Sequence, residues 1–260
     1  MLNPHTAVAV AQIIFYVPIL PLSVFILIRN WKNRPRLAWY PLVTFSLVRL
    51  VGGIITIVLE SNRSNIGLII ATTVLLNVGI IPLLLSLIGI VRIVLKSSMD
   101  DNQRAKRCLK AIRIAFIAAI VLIILSGGLS GTSSNAATSR RLAQAGYIVL
   151  TAVLAFTTLE LLYLSTQKHR ISPNGFIYVE FGLLSVLALG LRTAYGLLYE
   201  FSIQNPSTIW NPLYGSPVAF ALMCLVAEYL ALLIFTYLGI HYMNHNVQCM
   251  SKIGTGSELA

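Results

Sequence analysis

Seven stretches of this chain are too long and too apolar to sit inside a soluble domain. They run at about 7–28, 38–59, 66–95, 109–127, 142–165, 176–200 and 218–243, and each reaches about the 20 residues that cross a hydrocarbon layer of ~30 Å at ~1.5 Å rise per residue. A bilayer offers no water to backbone N–H and C=O groups, so such stretches are expected to be helical. Composition agrees: of 260 residues, 57% are hydrophobic and only 10% charged. The expected architecture is all-α, a polytopic membrane protein with one seven-helix bundle over 1–243 and a short cytosolic tail over 244–260. Its connections are too short to divide it into domains. The third stretch is the longest and carries Pro82, which predicts a kink or a tilt.

Charge then orients the bundle. The formal net charge of +11 does not point to nucleic acid, because the basic residues are spread over short loops beside apolar runs, with no aromatic-interleaved basic patch. Twelve lysines and arginines, including Arg29, Lys96, Lys106, Lys110, Lys168 and Lys252, fall after stretches one, three and five or in the C-terminal tail. Only Arg63, Arg140 and Arg141 fall on the other side. Basic residues concentrate on the cytosolic side, so the N-terminus is expected to be outside or lumenal and the C-terminus cytosolic. MLNPHTAVAV has no basic region before its first apolar run, which predicts a retained first helix. Without other address signals, the endoplasmic reticulum is the expected membrane. Cys108, Cys224 and Cys249 have no paired spacing, and neither a disulfide framework nor a zinc site is indicated.

The strongest functional signal is a layer of polar residues at one depth. Arg192 and Glu228 lie about eight and about ten residues in from the Pro-rich, aromatic loop between stretches six and seven, roughly 12–15 Å below one face at ~1.5 Å per residue. Arg49 and Asn77 fall at the same level from stretches two and three. A charge at that depth costs several kcal/mol unless it pairs or lines a wet cavity, which makes the group a candidate site. The layer is expected to form one buried cluster opening outward, with Glu228, Arg192, Arg49 and Asn77 as its catalytic candidates. A buried pair that only fixes helix packing is the alternative. Arg192, Tyr195 and Tyr199 share a helix face at i, i+3 and i+7, with Glu200 and Glu60 above them near the rim. Together with Trp210 of the loop and Tyr229, they are the candidate substrate-binding residues; Trp210, Asn211 and Tyr214 are placed to form a lid or an interfacial aromatic belt.

Other constellations carry less. Glu160 and Glu180, each near the cytosolic end of its helix, are expected to face Lys168, His169 and Arg170 at the interface. His241 and His245 are four apart, but no third ligand is evident. Asp100 and Asp101 begin like a diphosphate-binding aspartate motif, yet Asn102 and Gln103 follow and no second motif appears, which disfavours magnesium-dependent prenyl transfer. No nucleophile elbow, Walker loop or dinucleotide fingerprint is present. Asn62-Arg63-Ser64 is a glycosylation sequon in a very short loop. Arg49 and Asn77 recur in order as Arg192 and Glu228, which a faint parallel repeat of helices one to three and five to seven, with helix four as the inverting linker, would account for.

The segments FYVPILPLSVFILIR, FSLVRLVGGIITI, LLNVGIIPLLLSLIGI, LRTAYGLLYEFS and AEYLALLIFTYLGI resemble a family of fungal seven-helix integral membrane proteins. The similarity covers most of the chain, with helix four and GGLSGTSSNAATSRR adding little. Some small fungal membrane proteins similar to these are terpene cyclases of meroterpenoid pathways of the ascofuranone and ascochlorin kind, which close a farnesyl chain or its epoxide on an aromatic partner. The resemblance implies acid-initiated carbocation cyclisation of a lipophilic prenylated substrate in secondary metabolism, without metal or other cofactor, the substrate entering from the bilayer. It supplies no signature motif, so the candidate residues rest on depth, with Glu228 as the expected general acid and Tyr195, Tyr199, Tyr229 and Trp210 as stabilisers of cationic charge. A seven-helix receptor or sensor and a small transporter are the competing classes; protein partners are not indicated.

Overall fold

Each apolar stretch becomes a helix because its backbone polar groups can be satisfied only within itself. The computed structural model describes residues 4–31, 36–62, 65–98, 103–129, 136–202 and 208–256. The main elements are α1 (Pro4–Arg29), α2 (Tyr40–Ser61), α3 (Ile66–Val78), α4 (Ile80–Ser98), α5 (Gln103–Leu129), α6 (Ala136–Thr166), α7 (Pro173–Ser202), α8 (Pro217–Phe220) and α9 (Ala227–Gly256). α3 and α4 are two halves of one span, and α8 passes through a π-helical turn, Ala221–Val226, into α9. Among the described residues, seven helices are long and apolar enough to cross a membrane. The fold is therefore all-α, in keeping with a multi-pass integral membrane protein. Asp100 and Asp101, the Arg63-Ser64 part of the sequon, residues 130–135 and the 203–207 part of the expected lid lie outside the described residues, as does the side chain of His245.

Local signals set the ends. Pro41 stands at the start of α2, Asn65 caps α3 by accepting from the Leu68 N–H at 3.3 Å, and Ser216 caps α8 ahead of Pro217. The third span is divided, as Pro82 suggests: proline lacks an N–H and its ring crowds the carbonyl four residues back, and the helix is interrupted at Gly79. Three boundaries differ most from the sequence expectation. α5 and α6 begin six residues before their apolar stretches, at Gln103 and Ala136, and α9 continues to Gly256, through most of the expected tail. Backbone hydrogen bonding carries a helix beyond the point where apolar content ends.

α4 is the centre of the bundle, packed against α2, α5, α6, α7 and α9. Leu83, Leu84, Leu87, Ile88, Ile90 and Val91 are fully buried, as suits a largely apolar helix packed on several sides. The outer helices turn Ile14, Ile28, Ile117, Leu159 and Leu187 outward, apolar side chains that suit acyl chains. The ends of α2, α5 and α7 lie with the starts of α1, α3, α6 and α8 on one face, here named the upper face. Thr6 donates to the Glu60 carboxylate there, and Ser139 donates to the Ser126 carbonyl at 2.8 Å.

Candidate functional site: a buried ion triad and the cavity beside it

Glu228, in the first turn of α9, accepts at one oxygen, Oε1, from Arg49 Nη2 of α2 and from Arg192 Nε of α7, the latter at 2.5 Å. All three side chains are at most 1% exposed. Cys224 lies one turn earlier, with its Sγ 3.5 Å from Arg49 Nη2 and 3.7 Å from Glu228 Oε1. Two guanidiniums against one carboxylate leave formal positive charge to be stabilised, and the helix break supplies carbonyls for it. The Leu76 carbonyl accepts from Arg49 Nη2 at 3.3 Å and from Arg192 Nη2 at 3.0 Å, and the Asn77 carbonyl accepts from Arg192 Nη2 at 3.3 Å. Charge-assisted bonds of this kind satisfy carbonyls that a helix end would otherwise leave bare.

Two local features make the space. Gly79 lets the Arg49 guanidinium lie against the break, where a Cβ would come within 2.5 Å of Nη2. The π-turn Ala221–Val226 holds Cys224 and leads directly into Glu228; such turns widen the backbone spiral and recur at functional sites. Above the triad, Trp210 and Phe220 pack on Tyr195 at ring separations of 6.2 and 6.0 Å and, with Leu76 and Leu225, close it from the upper face. Gln12 of α1 braces the far side through an N–H bond of 2.5 Å to the Arg49 carbonyl. Glu228 Oε2, Arg49 Nη1, Arg192 Nη1 and the Tyr195 hydroxyl have no hydrogen-bond partner among the described residues.

Beside the triad lies a cavity of about 930 Å³, near the top of the ~300–1,000 Å³ range of small-molecule sites. Ile69, Ile70 and Val74 of α3 face Ile120, Ile123 and Ile124 of α5 across it. Its floor is Asn77 and Tyr147; its rim toward the upper face carries Ser126, Ser139, Arg140, Tyr199 and Glu200. Tyr147 forms the wall between cavity and triad. Its hydroxyl donates to the Asn77 carbonyl at 3.1 Å, and its ring fills the place that a Cβ on Gly196 would need. Gln144 bonds the Glu200 carbonyl at 3.1 Å and so ties α6 to α7 beside the rim.

The candidate layer is thus divided. Arg49, Arg192 and Glu228 meet, but they are enclosed and do not open outward as expected: the aromatic cluster around Tyr195 covers them. Asn77 joins through its main-chain carbonyl, while its side-chain oxygen is 3.5 Å from the Tyr147 hydroxyl. Tyr199 and Glu200 line the cavity. Trp210 covers the triad through Tyr195. Two candidates lie elsewhere: Glu60 pairs with Thr6, and Tyr229 packs against Phe15 and Tyr16 of α1 at 5.2 and 6.0 Å. Glu160 also departs from expectation, since it is buried with both carboxylate oxygens unpartnered among the described residues, while Glu180 is exposed. His241 meets the Tyr178 hydroxyl at 3.3 Å, and no group of three metal-ligating side chains occurs among the described residues.

Sequence reasoning missed Tyr147, Cys224, Gln12 and the whole α5–α6 side of the cavity. Gly127-Gly128, Ser139 and Arg140 at the ends of two apolar stretches were the available signal. No curated protein and no solved structure matches the chain. Residues 2–245 match the model of a family described as a domain of unknown function, DUF7702, and the chain belongs to that family.

Proposed function

We propose that this chain is a membrane-bound terpene cyclase that folds the prenyl chain of a lipophilic aromatic substrate inside the cavity and starts ring closure with the carboxylic acid of Glu200. The observation that carries the proposal is the cavity itself, about 930 Å³ walled by branched aliphatic side chains, with an acid at its rim. Glu200 is preferred to Glu228 as the acid because Glu200 lines the cavity and Glu228 is engaged by two guanidiniums outside it. The resemblance to fungal membrane cyclases supplies the reaction class. Glu200 gives a proton to an epoxide oxygen or alkene, the C–O or π bond opens, and the next alkene closes the ring. The final carbocation loses a proton, so the product is an isomer of the substrate and the balance needs no cofactor. The ring faces of Tyr147 and Tyr199 stabilise positive charge, and the isoleucine walls keep water from trapping it. The loop-charge asymmetry supports a lumenal N-terminus, in the endoplasmic reticulum.

Mass spectrometry of microsomes fed a farnesylated phenol and its terminal epoxide tests the proposal. The wild type should form a product of unchanged mass, and Glu200→Gln should not, at equal protein abundance. A folded wild type that leaves both substrates unchanged removes the cyclase; tight binding without conversion would then make the cavity the ligand site of a receptor or transporter.

A further inference from the structure

The cavity is not sealed on all sides, and where it opens decides what can enter. α3 packs along α2, and the cavity stands between α3 and the helices α5 and α6. Along the α3–α5 seam, two lining residues also face outward: Val74 is 39% exposed and Ile124 is 64% exposed. The same seam holds two lining glycines. Among the described residues, a Cβ on Gly127 would come within 3.8 Å of Val74 Cγ2, and one on Gly128 would meet nothing within 4 Å. α3 and α5 pack only sparsely against each other, so the strip beside Val74 and Ile124 opens onto the outward side of the bundle.

We infer that the α3–α5 seam at Val74, Ile124, Gly127 and Gly128 is a lateral portal through which a branched prenyl chain passes from the bilayer into the cavity. This rests on the cavity being the substrate chamber proposed above. The polar rim is the poorer route. A chain entering from the upper face must leave the bilayer, exposing apolar area at about 25 cal/mol per Å², and then cross Ser126, Ser139 and Arg140. A chain sliding through the seam at the level of Val74 and Ile124, below that rim, stays among apolar groups. The prenyl tail then lies against Ile69, Ile120 and Ile123, and the hydrogen-bonding aromatic head remains at Glu200 and Arg140.

The test uses the full chain in liposomes and a farnesylated phenol carrying a diazirine on its terminal isoprene unit. Label incorporation is followed in time with and without excess unlabelled farnesylated phenol. Gly128→Trp and Ile124→Trp fill the seam from positions that open outward, and each should slow competed labelling by roughly tenfold or more, as a blocked gate does, whereas Ile117→Trp, on the outward face of α5 and outside the cavity lining, should label at the wild-type rate. If a Trp variant does not melt like the wild type, Gly128→Leu or Ile124→Phe takes its place. Competed labelling at the wild-type rate in the filled variants overturns the portal and leaves the chamber standing. Absence of competed labelling in the wild type overturns the chamber, and the portal with it.

Discussion

Arg192 and Tyr147 meet on one acceptor, the main-chain carbonyl of Asn77, the guanidinium at 3.3 Å and the phenol at 3.1 Å. One donor belongs to the ion triad and the other to the cavity wall, so the break in the third span is where the two halves of the site are joined. Removing the Tyr147 hydroxyl leaves that carbonyl with Arg192 and should cost about 1 kcal/mol, the net value of a single neutral hydrogen bond. Tyr147→Phe is expected to melt within a few degrees of the wild type and, because it keeps the ring face, to hold the substrate with near-wild-type affinity. A thermal melt in detergent and a binding isotherm for the farnesylated phenol check the two halves of this expectation.

The triad behaves as a unit. Glu228→Gln leaves two buried guanidiniums without their carboxylate and should destabilise by about 3–5 kcal/mol, the cost of breaking a buried ion pair from one side. Replacing all three charges by apolar residues of similar volume, Arg49→Met with Arg192→Met and Glu228→Leu, should recover most of that loss. Yield of folded protein and melting temperature for the single and triple variants decide it; a triple variant worse than the single one would show that the charges themselves hold the helix break together.

Glycine to alanine normally stabilises a helix interior by up to about 1 kcal/mol. At Gly79 the sign should reverse, because the new Cβ would lie 2.5 Å from Arg49 Nη2, and overpacking of a tight site costs about 1–3 kcal/mol. Gly196→Ala should be at least as damaging, since its Cβ would overlap the Tyr147 ring. Gly128→Ala, with nothing within 4 Å of the new Cβ among the described residues, should be neutral or stabilising. Melting temperatures of the three variants, measured side by side, rank them.

The proposed orientation makes a separate prediction. A glycosylation acceptor on a flexible N-terminal extension should be modified in microsomes, and one on a C-terminal extension should not. Modification at the C-terminal site alone would invert the bundle and put the upper face in the cytosol.

Part of the site is legible in the linear chain. A charge inside an apolar run is conspicuous, and helical rise turns its position into a depth, so Arg49, Arg192 and Glu228 can be assigned to one level. What cannot be read there is their enclosure, which depends on the Trp210–Phe220–Tyr195 contacts of a loop with no periodicity to betray its path. Tyr229 shows the same limit. It adjoins Glu228 in sequence, yet it points to α1, because neighbouring helical residues diverge by about 100°.

By itself the sequence determined the seven apolar helices and the shared level of Arg49, Arg192 and Glu228, because a bilayer leaves the backbone few options and a helix converts residue count into height. The cavity and its walls were decided only by tertiary structure. Ile123 and Ile117 are alike in a linear chain, but the first faces the cavity and the second faces outward. That choice is set by how each helix rotates and leans against its neighbours, at Gly79, Gly196 and the α3–α5 seam, where the contacts are between residues far apart in sequence.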